Sequence, residues 1–285
     1  MSDFVQQQDC ICDFSSSDSW VILSPIEQSI KHKIEAVGTP LKDWDINIYR
    51  GVLTGYNDAF IISTEKRDEI LSNCQSEEER IKTAELIRPI LRGRDIKRYG
   101  YEWANLWIIN THNGIKGKLP RIDVNEYPAI KAHLDQFWDK ISKRADKGDT
   151  PYNLRNCAYM EDFNKPKIVW GNLNLKGAYS YAPEGMFINA PSPFLATSNI
   201  AVLHILNSKI ADYYIRSLGV TRNGGYFEYK PMFVERLPIP QIGLENLNSY
   251  PIKPSKEQEK EIEENVYQIY GLSLQEIDYM ENRED

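Results

Sequence analysis

Residues 86–103 read LIRPILRGRDIKRYGYEW. A helical signal leads into this stretch. "SEEERIKTAELIRPIL" carries Ser76 as a cap with Glu79 three residues on, and the helix must stop before Pro89. Beyond that point, residues 88–98 hold five basic side chains (Arg88, Arg92, Arg94, Lys97, Arg98) against one acid, Asp95. A chain of formal net charge −7 therefore concentrates positive charge just ahead of the aromatic run "YGYEW". Two readings stay open. Arg92 and Arg94 flank Gly93 and precede Asp95, so a local Arg–Asp bridge can hold the turn from inside. Alternatively, the cations hold an anionic partner in one place.

The charge is segregated along the chain. Residues 241–285 carry 4 Lys/Arg and 11 Asp/Glu, which is the whole −7, so the other 240 residues sum to zero. Residues 86–121 carry 8 basic and 2 acidic side chains, a local +6. Screening limits each patch to about 10 Å of influence, so segregation matters more than the total for binding a polyanion. With 285 residues, 41% hydrophobic and 26% charged, the chain can build a sizeable core as one large domain or two smaller ones. It has no apolar run of the roughly 20 residues a membrane helix needs, and its N-terminus lacks the pattern of a secretory signal. Cys10, Cys12, Cys74 and Cys157 form neither a zinc nor a disulfide framework, which implies reduced thiols in a cytoplasmic protein.

Working outward, "SPIEQSIKHKIEAVG" predicts a helix with Ser24 as cap, Pro25 at the first position, Glu27 closing a capping box and Ile26, Ile30, Ile34 and Val37 on one face. "DINIYRGVLTGYNDAFIIS" predicts strand, turn, strand. "NLWIIN", "KIVWG", "KGAYSYA" and "MFIN" predict further strands. A helical stripe joins Tyr127, Ile130, Leu134, Trp138 and Ile141, and an apolar helix is expected over 200–218. Two capped helices (Ser255 with Gln258, Ser273 with Glu276) make an acidic tail. Strands and helices in no regular alternation imply an α+β fold of mixed and antiparallel short strands with several packed helices. The division expected is a lead-in over 1–23, a main domain over 24–245, and an acidic helical segment over 246–285 packed on it.

Catalytic signatures are scarce. No Gly-rich phosphate loop is present, and no Pro-Pro pair supplies the Asn/Asp-Pro-Pro-aromatic segment of amino-methyltransferases. The four histidines share no metal spacing. His32 and His133 lie in polar helical runs that suggest surface positions, and His204 in an apolar helix suggests a satisfied core histidine. Asp212 with Glu228-Tyr229-Lys230 fits a loose Asp…Glu-x-Lys nuclease pattern, in which two carboxylates would hold Mg²⁺, but the spacing is permissive and Asp212 falls within a helix.

Four segments share a character of glycine beside basic, amide and aromatic residues: 48–60, 91–103, 169–181 and 220–233. Glycine lets backbone N–H groups approach phosphates, arginine forks onto phosphate or guanine, and asparagine pairs with adenine. Any one such segment can equally be a turn with core anchors. In order along the chain, "GTPLKDWDINIYRGVLTGYNDAFII", "LIRPILRGRDIKRYGYEW", "YPAIKAHLDQF", "NKPKIVWGNL", "AVLHILNSKIADYYI" and "YFEYKPMFVERLPIP" resemble the TaqI-like C-terminal specificity domain over roughly residues 20–280. This is the target-recognition domain of N6-adenine DNA methyltransferases and of restriction enzymes that fuse methylation with cleavage. The resemblance implies a duplex-DNA-reading domain or subunit of a restriction–modification system. An N6-adenine methyltransferase domain or subunit would be its partner. The chain itself would hold no cofactor or metal, with S-adenosylmethionine and Mg²⁺ in the associated catalytic domains. The base-reading candidates are Arg50, Tyr56, Asn57, Asn172, Asn174, Lys176, Arg222 and Asn223, on loops where specificity resides. The phosphate candidates are Arg94, Lys97, Arg98, Lys116, Lys118 and Lys230. A rival reading is a protein–protein module that docks a methyltransferase subunit through the acidic tail or the helix at 24–37.

Overall fold

The strand Lys167–Trp170 is buried along its whole length. Its alternation sends Ile168 and Trp170 into one hydrophobic core and Val169 into another. This computed structural model describes residues 23–219 and 221–282, so Cys10, Cys12 and nearly all of the lead-in expected over 1–23 lie outside the described residues. Lys167–Trp170 is an inner strand of an antiparallel sheet in the order Tyr179–Ala182, Lys167–Trp170, Pro193–Leu195, Ile48–Arg50. Neighbouring strands divide in the same way: Tyr179 and Leu195 join the first core, Ala182 and Phe194 the second. A sheet covered on both faces explains why Ile168, Val169 and Trp170 read as a continuous apolar run rather than an alternation.

Helices from both ends of the chain build the first core. Pro25–Val37 starts at a complete capping box, with the Ser24 N–H donating to Glu27 Oε2 at 2.8 Å, and buries Ile30 and Ile34 fully. The acidic helices Lys256–Ile269 and Leu274–Asn282 pack on the same core, the first through Ile262 and Val266. Glu276 clamps the two ends of the chain together, accepting from Ser29 Oγ and Lys33 Nζ at 2.7 Å each. The second core holds a four-stranded sheet in the order Phe187–Ile188, Ile87–Leu91, Leu106–Ile109, Ile61–Ser63, in which only the first pair is parallel. The helices Glu77–Leu86 and Pro128–Asp135 are joined by buried Glu79, which accepts from the Ala129 N–H at 3.0 Å. Short, mostly antiparallel strands with packed helices make this an α+β fold. Among the described residues no helix is long and apolar enough to cross a membrane.

Several local expectations need correction. Ile48–Arg50 and Ile61–Ser63 do not form a hairpin; they belong to different sheets, with a short helix at Asn57–Phe60 between them. The stripe at 127–141 breaks into Pro128–Asp135 and Trp138–Ile141, and Trp138 is left largely exposed beside Tyr152. The apolar helix breaks after Leu206, where Ser208 accepts from the Ala211 N–H and caps a new helix, Lys209–Ser217. His133 is a core residue, not a surface one: its Nε2 lies 3.0 Å from the Ala59 carbonyl oxygen, and burial pushes its pKa down. His204 is fully buried as expected, with Nδ1 3.4 Å from the Tyr99 hydroxyl, but its Nε2 lacks a partner.

Candidate nucleic-acid interface

The "LRGRD" turn resolves its own ambiguity by dividing its arginines. Arg92 Nη2 donates to Asp95 Oδ1 at 2.7 Å, Arg92 Nε to Oδ2 at 3.0 Å, and the Arg92 N–H to Oδ2 at 2.9 Å. Burial pushes the Asp95 carboxyl up, but these bonds from Arg92 outweigh it and hold the group below its ordinary pKa. Arg94, on the other side of Gly93, points into solvent. Lys97 donates to the Arg94 carbonyl at 3.0 Å, and Arg98 is engaged by Glu259 of the acidic helix at 2.6 Å.

Gly93 joins this turn to the next segment. A Cβ there would lie 2.5 Å from Ser192 Oγ, and one on Gly171 would lie 3.1 Å from the Gly93 carbonyl oxygen, so the two backbones touch. Ser192 leads into Pro193–Leu195, whose Pro193 pairs with Arg50. Arg50 is exposed, and its carbonyl accepts from the Tyr159 hydroxyl at 3.0 Å. Past Gly171, Leu173–Asn174 forms a two-stranded antiparallel ribbon with Phe227–Glu228, Asn174 opposite Phe227 and Leu173 opposite Glu228. The Asn172 carbonyl accepts from the Tyr229 N–H at 2.8 Å, while Asn174 Nδ2 donates to the Gly171 carbonyl at 3.1 Å and closes the loop. Lys176, Arg222 and Asn223 are exposed around the ribbon. Glu228 sits between Arg222 at 3.2 Å and Lys230 at 2.5 Å, and the two cations hold its carboxyl below the ordinary range.

The four segments are thus linked in sequence through backbone contacts, Arg50 to Pro193, Ser192 and Gly171 to Gly93, and Leu173–Asn174 to Phe227–Glu228. Arg50, Arg94, Lys176, Arg222 and Asn223 are exposed along them, Asn172 and Lys230 are half-buried, and Asn174 is turned inward opposite buried Phe227. Lys116 and Lys118 lie on a hairpin closed between Ile115 and Leu119. With Cys157 and Ala158 they line a hollow next to the segment whose Tyr159 holds Arg50. Lys118 also faces Glu161 at 3.4 Å. Tyr56 and Asn57 stand apart. Tyr56 packs half-buried against Phe137 in the second core, and Asn57 accepts from Thr54 Oγ1 at 2.6 Å at the start of its helix.

The nuclease-like residues have other engagements. Asp212 Oδ1 accepts from the Tyr229 hydroxyl at 2.6 Å and the Gly177 N–H at 2.8 Å, which anchors the base of the ribbon. Among the described residues no group of three or more His, Cys, Asp or Glu is placed to hold a metal ion. The residues that sequence reasoning missed are apolar: Leu173 and Leu175 are 50% and 52% exposed, beside Tyr226, which is 42% exposed. The alternation in "NLNLK" was a signal for a half-exposed strand, but it does not say which face is outward.

This chain belongs to the TaqI-like C-terminal specificity domain family, whose sequence pattern matches residues 88–239, more than half of it. Its fold is similar to part of the type IIL restriction-modification enzyme MmeI, solved in complex with DNA, with a TM-score of 0.61 and 11% identity over 85% of this chain and 35% of that one. It is also similar to part of the type IIG restriction endonuclease BpuSI, with a TM-score of 0.50 and 13% identity over 86% of this chain and 32% of that one. At such identities the likeness is one of fold, and the chain spans about a third of either enzyme. Among curated proteins none matches it.

Proposed function

We propose that this chain reads duplex DNA for a restriction–modification system, acting in the cytoplasm and directing an N6-adenine methyltransferase domain or subunit to its site. In this reading residues 24–245 form the recognition domain, with the helices of 246–285 packed on it. S-adenosylmethionine, and Mg²⁺ where a nuclease is fused, belong to the associated catalytic domains. The observation that carries the reading is the contact of Gly93 with Gly171 and Ser192, which links segments that bear exposed or half-buried basic and amide side chains in a member of a specificity-domain family. Arg50, Asn172, Arg222 and Asn223 offer the forked and amide groups that base edges accept, and Arg94, Lys116 and Lys118 offer phosphate contacts that set register. The one acid within the ribbon, Glu228, is already neutralised by Arg222 and Lys230.

Selection of bound duplexes from a random pool, at two salt concentrations, tests this. An enriched motif that persists at the higher salt is the expected result, because base contacts survive where counterion release weakens phosphate contacts. Absence of any motif at both salts would reject it in favour of a module that only docks a methyltransferase subunit.

A further inference from the structure

The antiparallel register of the ribbon fixes which side chains share a face. Asn174 lies opposite Phe227, which is fully buried, so this pair faces inward. Leu173 lies opposite Glu228 on the other face. Beyond the paired residues Leu175 and Tyr226 lie beside the Gly224–Gly225 tip, where a Cβ on Gly225 would be 3.8 Å from Leu175 Cδ2 and one on Gly224 3.7 Å from Tyr226 Cδ2. Leu173, Leu175 and Tyr226 are each at least two-fifths exposed, so the ribbon and its tip present apolar surface to solvent. The end of the ribbon carries Gly224 and Gly225, both at φ 76, a left-handed turn that keeps bulk away from this face. The ribbon is rigidly based: Trp170 Nε1 donates to the Tyr229 carbonyl at 2.8 Å, and Arg216 donates to the Leu175 carbonyl at 2.9 Å.

An exposed apolar face needs an occupant, and the charges around it choose one. Lys176 and Arg222 border it, Lys230 stands behind Glu228, and Glu228 is the sole acid of segments 171–176 and 221–230, held between two cations. Apolar groups ringed by net positive charge fit a polyanion that displays apolar groups between its charges. The major groove of DNA is wide enough for a two-stranded ribbon, and the apolar group it presents is the thymine C5-methyl.

We propose that Leu173, Leu175 and Tyr226 form an apolar reading face that contacts thymine C5-methyl groups in the major groove of the bound duplex. This rests on the DNA-reading function above and adds a statement about the recognised sequence: it contains thymine, read through its methyl group.

The test replaces each thymine of the selected motif by uracil, one at a time, and measures affinity by fluorescence anisotropy for the full chain and for Leu173→Ala, Leu175→Ala and Tyr226→Ala. At one or two positions uracil is expected to weaken binding by the unaltered chain about threefold to fourfold, the worth of one buried methyl. Leu173→Ala or Leu175→Ala is expected to lose that sensitivity at the corresponding position. Because the three side chains are exposed, the thermal unfolding of the variants should match that of the unaltered chain. Uracil tolerated at every position, a motif without thymine, or sensitivity retained in all three variants would overturn this inference and leave the DNA-reading function intact. Failure to select any motif would overturn both.

Discussion

The turn at 91–95 and the ribbon built from 171–176 and 221–230 both set glycine and basic residues beside a single acid, yet they are closed in different ways. In the turn an acid lies three residues after Arg92, and the resulting ion pair is 27% exposed on the arginine side and 6% on the aspartate side. In the ribbon Glu228, 23% exposed, lies between Arg222 across the glycine turn and Lys230 two residues on, which are 56% and 40% exposed. The first arrangement sets backbone geometry and leaves one arginine, Arg94, to face outward. The second leaves its cations within reach of a ligand, since exposed ion pairs are worth little and exchange readily. Basic composition alone therefore does not identify a contact residue. The position and burial of the nearest acid do.

The largest effect that would sharpen this contrast is expected at Asp95. Asp95→Ala removes one partner of a mostly buried pair together with a backbone cap, and it should lower unfolding free energy by about 3 kcal/mol, the low end for such losses because Arg92 keeps some solvent. Denaturant melts check this. The pH dependence has a definite sign: the folded carboxyl titrates below its unfolded value, so its contribution is present above about pH 4, where the unfolded aspartate is ionised, and is lost as pH falls through the lower folded pKa. The variant should lack that acid-dependent component.

Next in size is Gly171→Ala. The added Cβ would sit 2.9 Å from Asn174 Nδ2 and 3.1 Å from the Gly93 carbonyl oxygen, which forces the turn and ribbon apart. A stability cost of about 2 kcal/mol is expected, along with weaker binding to every sequence, because the loss falls on the junction rather than on any reader. Specific binding unchanged in this variant would break the claim that the contact assembles the interface.

Arg222→Ala should leave stability within about 0.5 kcal/mol. It should cost about 1.5 kcal/mol of binding at one base pair and relax preference there, which a second round of duplex selection would show. The smallest effect belongs to Lys116→Ala, which should weaken binding alike for all duplexes and reduce the salt slope by about 1. A base-specific loss at Lys116, or a uniform one at Arg222, would reverse their roles.

Much of the local structure was legible beforehand. The helix Pro25–Val37 begins at its capping box, and "KIVW" forms a short strand. Each of these depends on residues within about four positions of one another, where side-chain chemistry and backbone geometry act directly. The errors came where a distant segment decides. Nothing near Ile48 indicates that its strand will pair with Pro193–Leu195 rather than with Ile61–Ser63. His133 sits in a polar run, yet the Ala59 carbonyl buries it. Along "NLNLK", alternation implies two faces, but only pairing with Phe227–Glu228 turned Asn174 inward and Leu173 outward.

For this chain, composition and short-range pattern were enough for the α+β class, the capped helices, the segregation of charge and the resemblance that names its family. The tertiary structure decided which glycines touch, which arginine is enclosed, and which side of the ribbon meets solvent. The reason is physical: caps, turns and periodicity are near-neighbour interactions written in consecutive residues, whereas strand partnership and burial depend on contacts between segments more than a hundred positions apart, such as Arg50 with Pro193, whose choice reflects the packing of both cores at once.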